Sequence, residues 1–143
     1  MTFAEKWFDK VSEKGSILCA GLDPALYEMG RGEKGLPEGV SGRAARRDWC
    51  FRYLESVAPY CAAVKPNVQY WKDPEGAVLL EEICGVARDL GLLVIEDAKL
   101  ADIGATNDAG IFSAMSRAEA VTIAPFAGNI EQTVNSAKKR NKE

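Results

Sequence analysis

Four short apolar runs alternate with five amphipathic stretches along this chain, and each run ends in a proline, a charge or both. The runs begin near residues 17, 61, 92 and 120. A run of four or so apolar residues bounded by breakers reads as a strand buried on both faces, as in parallel sheets. Neighbouring parallel strands need a long crossover connection, usually a helix. The alternation therefore predicts an α/β fold with helix crossovers.

The intervening stretches carry the expected helical spacing. Thr2 to Lys14 places Phe3, Ala4, Trp7, Phe8 and Val11 on one face, and Gly15 closes it. Ser41 can cap a helix over roughly Arg43 to Ala58, with Ala45, Trp49, Cys50, Tyr53, Leu54 and Val57 inward. Asp73 and Pro74 make a helix start, Leu79, Ile83, Val86, Ala87 and Leu90 its buried stripe, and Gly91 its stop. A third connecting helix is expected over about Asn107 to Ser116, after a break at Gly104. A last helix, to about Lys142, opens on Asn129 and Gln132 as a capping box. The literal Gly-x-Gly-x-x-Gly at Gly30, Gly32 and Gly35 neither leaves a strand directly nor opens a helix, so it reads as loop rather than as a dinucleotide fingerprint.

Where each strand ends is more informative than the strands themselves. The first run, Ser16 onward, ends at Asp23-Pro24, the second, read as a strand from Tyr60, at Lys65-Pro66-Asn67, and the third at Glu96-Asp97-Ala98-Lys99. Asp23, Lys65 and Asp97 thus share one structural position. Period-2 alternation puts Asp97 and Lys99 on one side of their strand. Asp102 follows in the loop before the next helix. An open doubly wound sheet also fits the alternation, but charges gathered at C-terminal strand ends favour a (β/α)8 TIM-barrel arrangement, in which all such ends converge on one mouth. Eight units need ~250 residues, whereas residues 1–143 hold about the first four. The chain is therefore expected to be the N-terminal portion of a single barrel domain, with its first and fourth strands left as raw edges.

Composition removes several function classes. The chain has no histidine, so Ser-His and Cys-His nucleophile pairs are out. Its four cysteines, at 19, 50, 61 and 84, contain no Cys-x-x-Cys pair, which disfavours zinc sites. Three of them lie in apolar patterns as buried reduced thiols, which fits a cytoplasmic protein. A net charge of −3 with a basic segment only at the tail argues against nucleic acid. No apolar run approaches the ~20 residues of a membrane span, and the amphipathic N-terminus lacks the form of a signal peptide.

The string Asp97-x-Lys99-x-x-Asp102-Ile103-Gly104-x-Thr106 closely resembles the signature of the orotidine 5′-phosphate decarboxylase family. Gly21-Leu22-Asp23, Val64-Lys65-Pro66-Asn67 and the Pro125-Phe-Ala-Gly128 turn occur in the matching order, so the resemblance covers nearly the whole chain as that family's first half. It implies decarboxylation of orotidine monophosphate to uridine monophosphate (UMP), in pyrimidine biosynthesis, with no metal or organic cofactor. It further implies Lys99 as the acid that protonates carbon 6, Asp97 beside the substrate carboxylate, Lys65 balancing Asp97 and touching the ribose, and Asp23 on a ribose hydroxyl. Asn67 joins this substrate-binding set. The resemblance implies Lys65, Asp97, Lys99 and Asp102 as the catalytic charges, and their alternation is expected to keep each beside an opposite one, which lessens the cost of burying them. Family members are dimers, so Asp102, Ile103 and Thr106 are expected to serve the neighbouring subunit's site. The family's phosphate arginine and most pyrimidine contacts fall in later strands, so these 143 residues alone are expected to be inactive.

Three other readings fit fewer residues. A magnesium-dependent sugar-phosphate decarboxylase of the same barrel group wants an acidic residue where Lys65 stands. A Schiff-base aldolase would use Lys65 or Lys99 as nucleophile. A non-catalytic half barrel that pairs with another chain rests on length alone.

Overall fold

The computed structural model describes residues 1–114, 117–125 and 128–140. Helix α1 (Phe3–Lys14) is followed by β1 (Cys19–Leu22), α2 (Gly42–Val57), β2 (Ala63–Pro66), α3 (Gly76–Asp89), β3 (Leu93–Leu100), α4 (Gly104–Ala114), β4 (Ala120–Ile123) and α5 (Ile130–Lys139). The strands form one sheet in the order β1-β2-β3-β4, every pair parallel. Sequential parallel neighbours, each pair linked through a helix, make four consecutive β/α units. Among the described residues β1 and β4 each leave one side unpaired.

The core lies between the sheet and the helices α2 and α3. Leu22, Val64 and Val94 meet Cys50, Leu54, Leu79, Ile83 and Cys84, all essentially inaccessible to water. On the opposite face of β3, Ile95 lines an apolar hollow with Phe3, Ala4, Trp7 and Phe8 of α1. Helix α1 is held by the full capping box of Thr2 and Glu5, and Gly15 ends it in the left-handed region, φ 62°.

Several boundaries differ from the pattern for identifiable reasons. Ser41 sits at the N-cap of α2, but its side chain makes no capping bond. The inward face of α2 includes Arg46, which is buried because it pairs with Asp73. Asp73 and Pro74 do not start α3. The helix begins at Gly76, behind Glu75, and Asp73 instead accepts from Arg46 and from the Glu75 N–H. A 3-10 turn, Val68–Trp71, fills the gap after β2. Tyr60, read as strand, is exposed and outside β2. Gly104 does not break the chain. It is the first residue of α4, buried against the Gln132 side chain. Asn129 and Gln132 form no capping box: Asn129 has αR rather than extended backbone angles, φ −86° and ψ −4°, and its side chain makes no capping bond, its amide donating to the Asp102 carbonyl. Gly30, Gly32 and Gly35 fall in two short 3-10 turns before α2. Phe126 and Ala127 of the predicted turn, Ser116 of the predicted helix and Lys142 lie outside the described residues.

Candidate active site at the strand ends

Glu96 and Asp97 are adjacent on β3, so their side chains leave on opposite faces. Both are buried. Glu96 is neutralised by Arg117 through two hydrogen bonds, 3.0 and 3.2 Å, and this contact raises the Arg117 pKa. Asp97 faces the strand-end cluster. Lys65 Nζ reaches Asp97 Oδ2 at 2.6 Å and Lys99 Nζ reaches the same oxygen at 2.7 Å. The other oxygen, Oδ1, accepts from the Thr122 hydroxyl at 2.8 Å. Burial alone would raise the Asp97 pKa. The hydrogen bonds from Lys65, Lys99 and Thr122, with the charge of Lys65, outweigh it and lower the pKa to about 2. Asp97 is therefore a fixed anion clamped between two ammonium groups, both of them reachable by water.

Simple alternation does not bring Lys99 to this position. Pairing runs from Glu96↔Val121 to Leu100↔Ile123, four steps on β3 against two on β4. The extra residues form a bulge, and Lys99 occupies the left-handed region at φ 49°. The Lys99 N–H donates to Thr122 Oγ1 at 2.9 Å.

The remaining expected residues flank this cluster. Asn67 bridges to Asp97 at the end of β2, and its side chain caps the following turn by accepting from the Gln69 N–H. Asp23 follows β1, and its Oδ1 is buried without a hydrogen-bond partner among the described residues. Asp102 makes no ion pair with Lys99 among the described residues. Its carboxylate accepts from the Ile103 N–H, and it stands exposed with Ile103 and Thr106. The uninterrupted chain of alternating charge therefore stops at Lys99.

Sequence reasoning missed the residues that hold these groups. Thr122 could have been found as the one hydroxyl in an otherwise apolar strand beside β3. Asn107 and Asn129 fix the Asp102 loop. Asn107 Oδ1 accepts from the Asp102 N–H, and its amide donates to Thr133. No period marks such buried asparagines. Among the described residues no group of three or more acidic, cysteine or histidine side chains is arranged to hold a metal ion.

A family model described as Orotidine 5′-phosphate decarboxylase / HUMPS family matches residues 16–143. An orotidine 5′-phosphate decarboxylase of Deinococcus radiodurans is 36% identical over 132 residues, spanning 89% of this chain and 44% of the relative. One from Corynebacterium glutamicum is 38% identical over 136 residues, spanning 90% of this chain and 46% of the relative. A crystal structure provisionally described as an orotidine-monophosphate-decarboxylase, from Toxoplasma gondii, aligns with a TM-score of 0.79 at 25% identity. That alignment covers 99% of this chain and 46% of the other. The chain thus spans under half the length of these curated relatives.

Proposed function

The chain belongs to the orotidine 5′-phosphate decarboxylase / HUMPS family, and we propose that it is the N-terminal portion of a (β/α)8 barrel lyase that converts orotidine 5′-monophosphate to UMP in pyrimidine biosynthesis. The observation that carries this reading is the buried Asp97 carboxylate held between Lys65 and Lys99 at the C-terminal strand ends.

Loss of carbon dioxide from the pyrimidine leaves an electron pair on a ring carbon that resonance scarcely relieves. Stabilising it requires positive charge already in place, since reorganising a solvent shell costs most of the gain. An ammonium whose partner carboxylate is immobile supplies that charge. In this reading the substrate carboxylate lies beside Asp97, so their repulsion ends as carbon dioxide departs, while the attraction to Lys99 grows. Lys99 then gives its proton to carbon 6. Lys65 keeps Asp97 ionised and meets the ribose. Asp23, whose buried Oδ1 lacks a hydrogen-bond partner among the described residues, takes a ribose hydroxyl. Asn67 contributes beside Asp97. Asp102, Ile103 and Thr106, exposed on their loop, reach the site of a second subunit in a homodimer. The reaction calls for neither metal nor organic cofactor, and the enzyme would work in the cytoplasm. The magnesium-dependent alternative is disfavoured because Lys65 Nζ already occupies Asp97 Oδ2.

The test is release of labelled carbon dioxide from carboxyl-labelled substrate by the complete barrel. The intact protein is expected to turn over without added metal, and Lys99→Ala to lose at least ~100-fold in kcat, the low end for a lost general acid. Unchanged turnover in Lys99→Ala would overturn the assignment. Residues 1–143 alone are expected to show none.

A further inference from the structure

Lys99 sits in a backbone conformation that costs a side-chain-bearing residue about 1 kcal/mol or more, and something must hold it there. The bulge removes its N–H from the β3–β4 ladder, since pairing resumes only at Leu100. The acceptor that replaces the missing carbonyl is Thr122 Oγ1, 2.9 Å away. The same oxygen carries the only proton a threonine side chain can donate, and that proton goes to Asp97 Oδ1 at 2.8 Å. One hydroxyl therefore fastens the main chain of the lysine and the side chain of its counter-ion. With Oδ1 so engaged, the remaining oxygen, Oδ2, is left to Lys65 and Lys99 together.

We infer that Thr122 is a positioning residue, which fixes the Lys99 ammonium relative to Asp97 by bonding both at once. This rests on the functional reading above for its catalytic consequence, but its structural content stands on the two bonds alone. A valine of nearly the same shape suits a strand equally well, yet can make neither bond. A serine can make both. Any structural role filled by bulk alone would be kept by valine and weakened by serine, the reverse order.

The experiment uses the complete protein with Thr122→Val and Thr122→Ser, and Thr122→Ala as a second hydroxyl-free variant should valine fail to fold. Three quantities are read: amide exchange at Lys99, the titration midpoint of the Asp97 carboxyl by carbon NMR, and kcat against KM. The groups facing Asp97 are Lys65 from β2, Lys99 from β3 and Thr122 from β4. Without the hydroxyl, exchange at Lys99 should quicken at least ~10-fold and the Asp97 midpoint should rise. The kcat should fall about 10- to 100-fold while KM moves less than threefold, a rise of ~1.4–2.7 kcal/mol in the barrier. Serine should recover most of each. Unchanged exchange and midpoint in the valine or alanine variant would overturn the inference, as would an undiminished kcat. Should the wild type itself not decarboxylate the substrate, the functional reading falls, and the exchange and titration results still decide the role of Thr122.

Discussion

Arg46 on α2 grips Asp73 with two nitrogens, at 2.7 and 3.1 Å, and lays its guanidinium 5.5 Å from the centre of the Trp71 ring. The pair ties the segment after β2 to the helix before it. That segment carries Asn67 and follows Lys65. Arg46 is buried and Asp73 is partly exposed. Removing Arg46 leaves a half-desolvated carboxylate and an uncovered indole. Arg46→Ala should therefore lower stability by about 2 kcal/mol, below the range for a fully buried pair. Urea unfolding monitored by tryptophan fluorescence checks it, and a change under about 0.5 kcal/mol would contradict it.

Gly76 packs against the same segment. A Cβ there would lie 2.1 Å from the Trp71 carbonyl oxygen and 2.5 Å from its carbon. These are backbone atoms, which cannot swing aside as a side-chain end can. Gly76→Ala should cost about 1–3 kcal/mol despite alanine's better helix propensity. Alanine at Gly85, in the same helix and with open space around it, should be neutral or slightly stabilising. The pair of melting temperatures separates packing from propensity.

Acid should weaken the fold through Asp97. Its pKa is about 2 when folded against an ordinary 3.8, so folding favours the ionised form. The stabilisation is complete above the unfolded value and drains away as pH falls from about 4 through 2, in all about 2 kcal/mol. Asp97→Asn should be less stable than wild type near neutrality, and the gap should narrow steadily below pH ~4. Asp73, lowered chiefly by its hydrogen bond from Arg46, adds loss in the same direction. A gap that widened on acidification would refute the sign.

Thiol chemistry should distinguish the four cysteines. Cys19 is exposed, whereas Cys50, Cys61 and Cys84 are buried. Burial pushes the Cys50 and Cys84 thiols up to about 12. Burial also raises Cys19, though less. A neutral alkylating reagent at pH ~8 should modify one cysteine per native chain, more slowly than it modifies free thiol. The other three should react only in denaturant. Mass spectrometry after a timed quench counts the adducts.

The parallel sheet and most helix positions were legible because period and punctuation encode them directly. Gly15 and Gly91 stopped α1 and α3 where a positive φ was needed, 62° and 77°. The meeting of Lys65 and Asp97 was also legible, since the ends of neighbouring parallel strands lie side by side, whereas Lys99 joins them through a bulge that alternation does not show. What failed was anything set by contacts distant in sequence. Asp73 reads as a cap until Arg46, 27 residues earlier, claims it. Gly104 reads as a break until Gln132 packs onto it. Asp102 reads as the next charge in a line, but its loop is turned aside by Asn107 and Asn129. Thr122 showed only as one hydroxyl in an apolar strand, and the partners that give it a role, Lys99 and Asp97, lie 23 and 25 residues earlier.

The left-handed backbone at Lys99 ties a torsional cost and an ammonium to one codon. Glycine would relieve the torsion, worth about 1 kcal/mol, but it would delete the ammonium and with it one of the bonds that keep Asp97 ionised, so the gain and the loss offset. A redesign that scores backbone angles alone would be drawn to that substitution and would remove a charge from the strand-end cluster without gaining heat resistance.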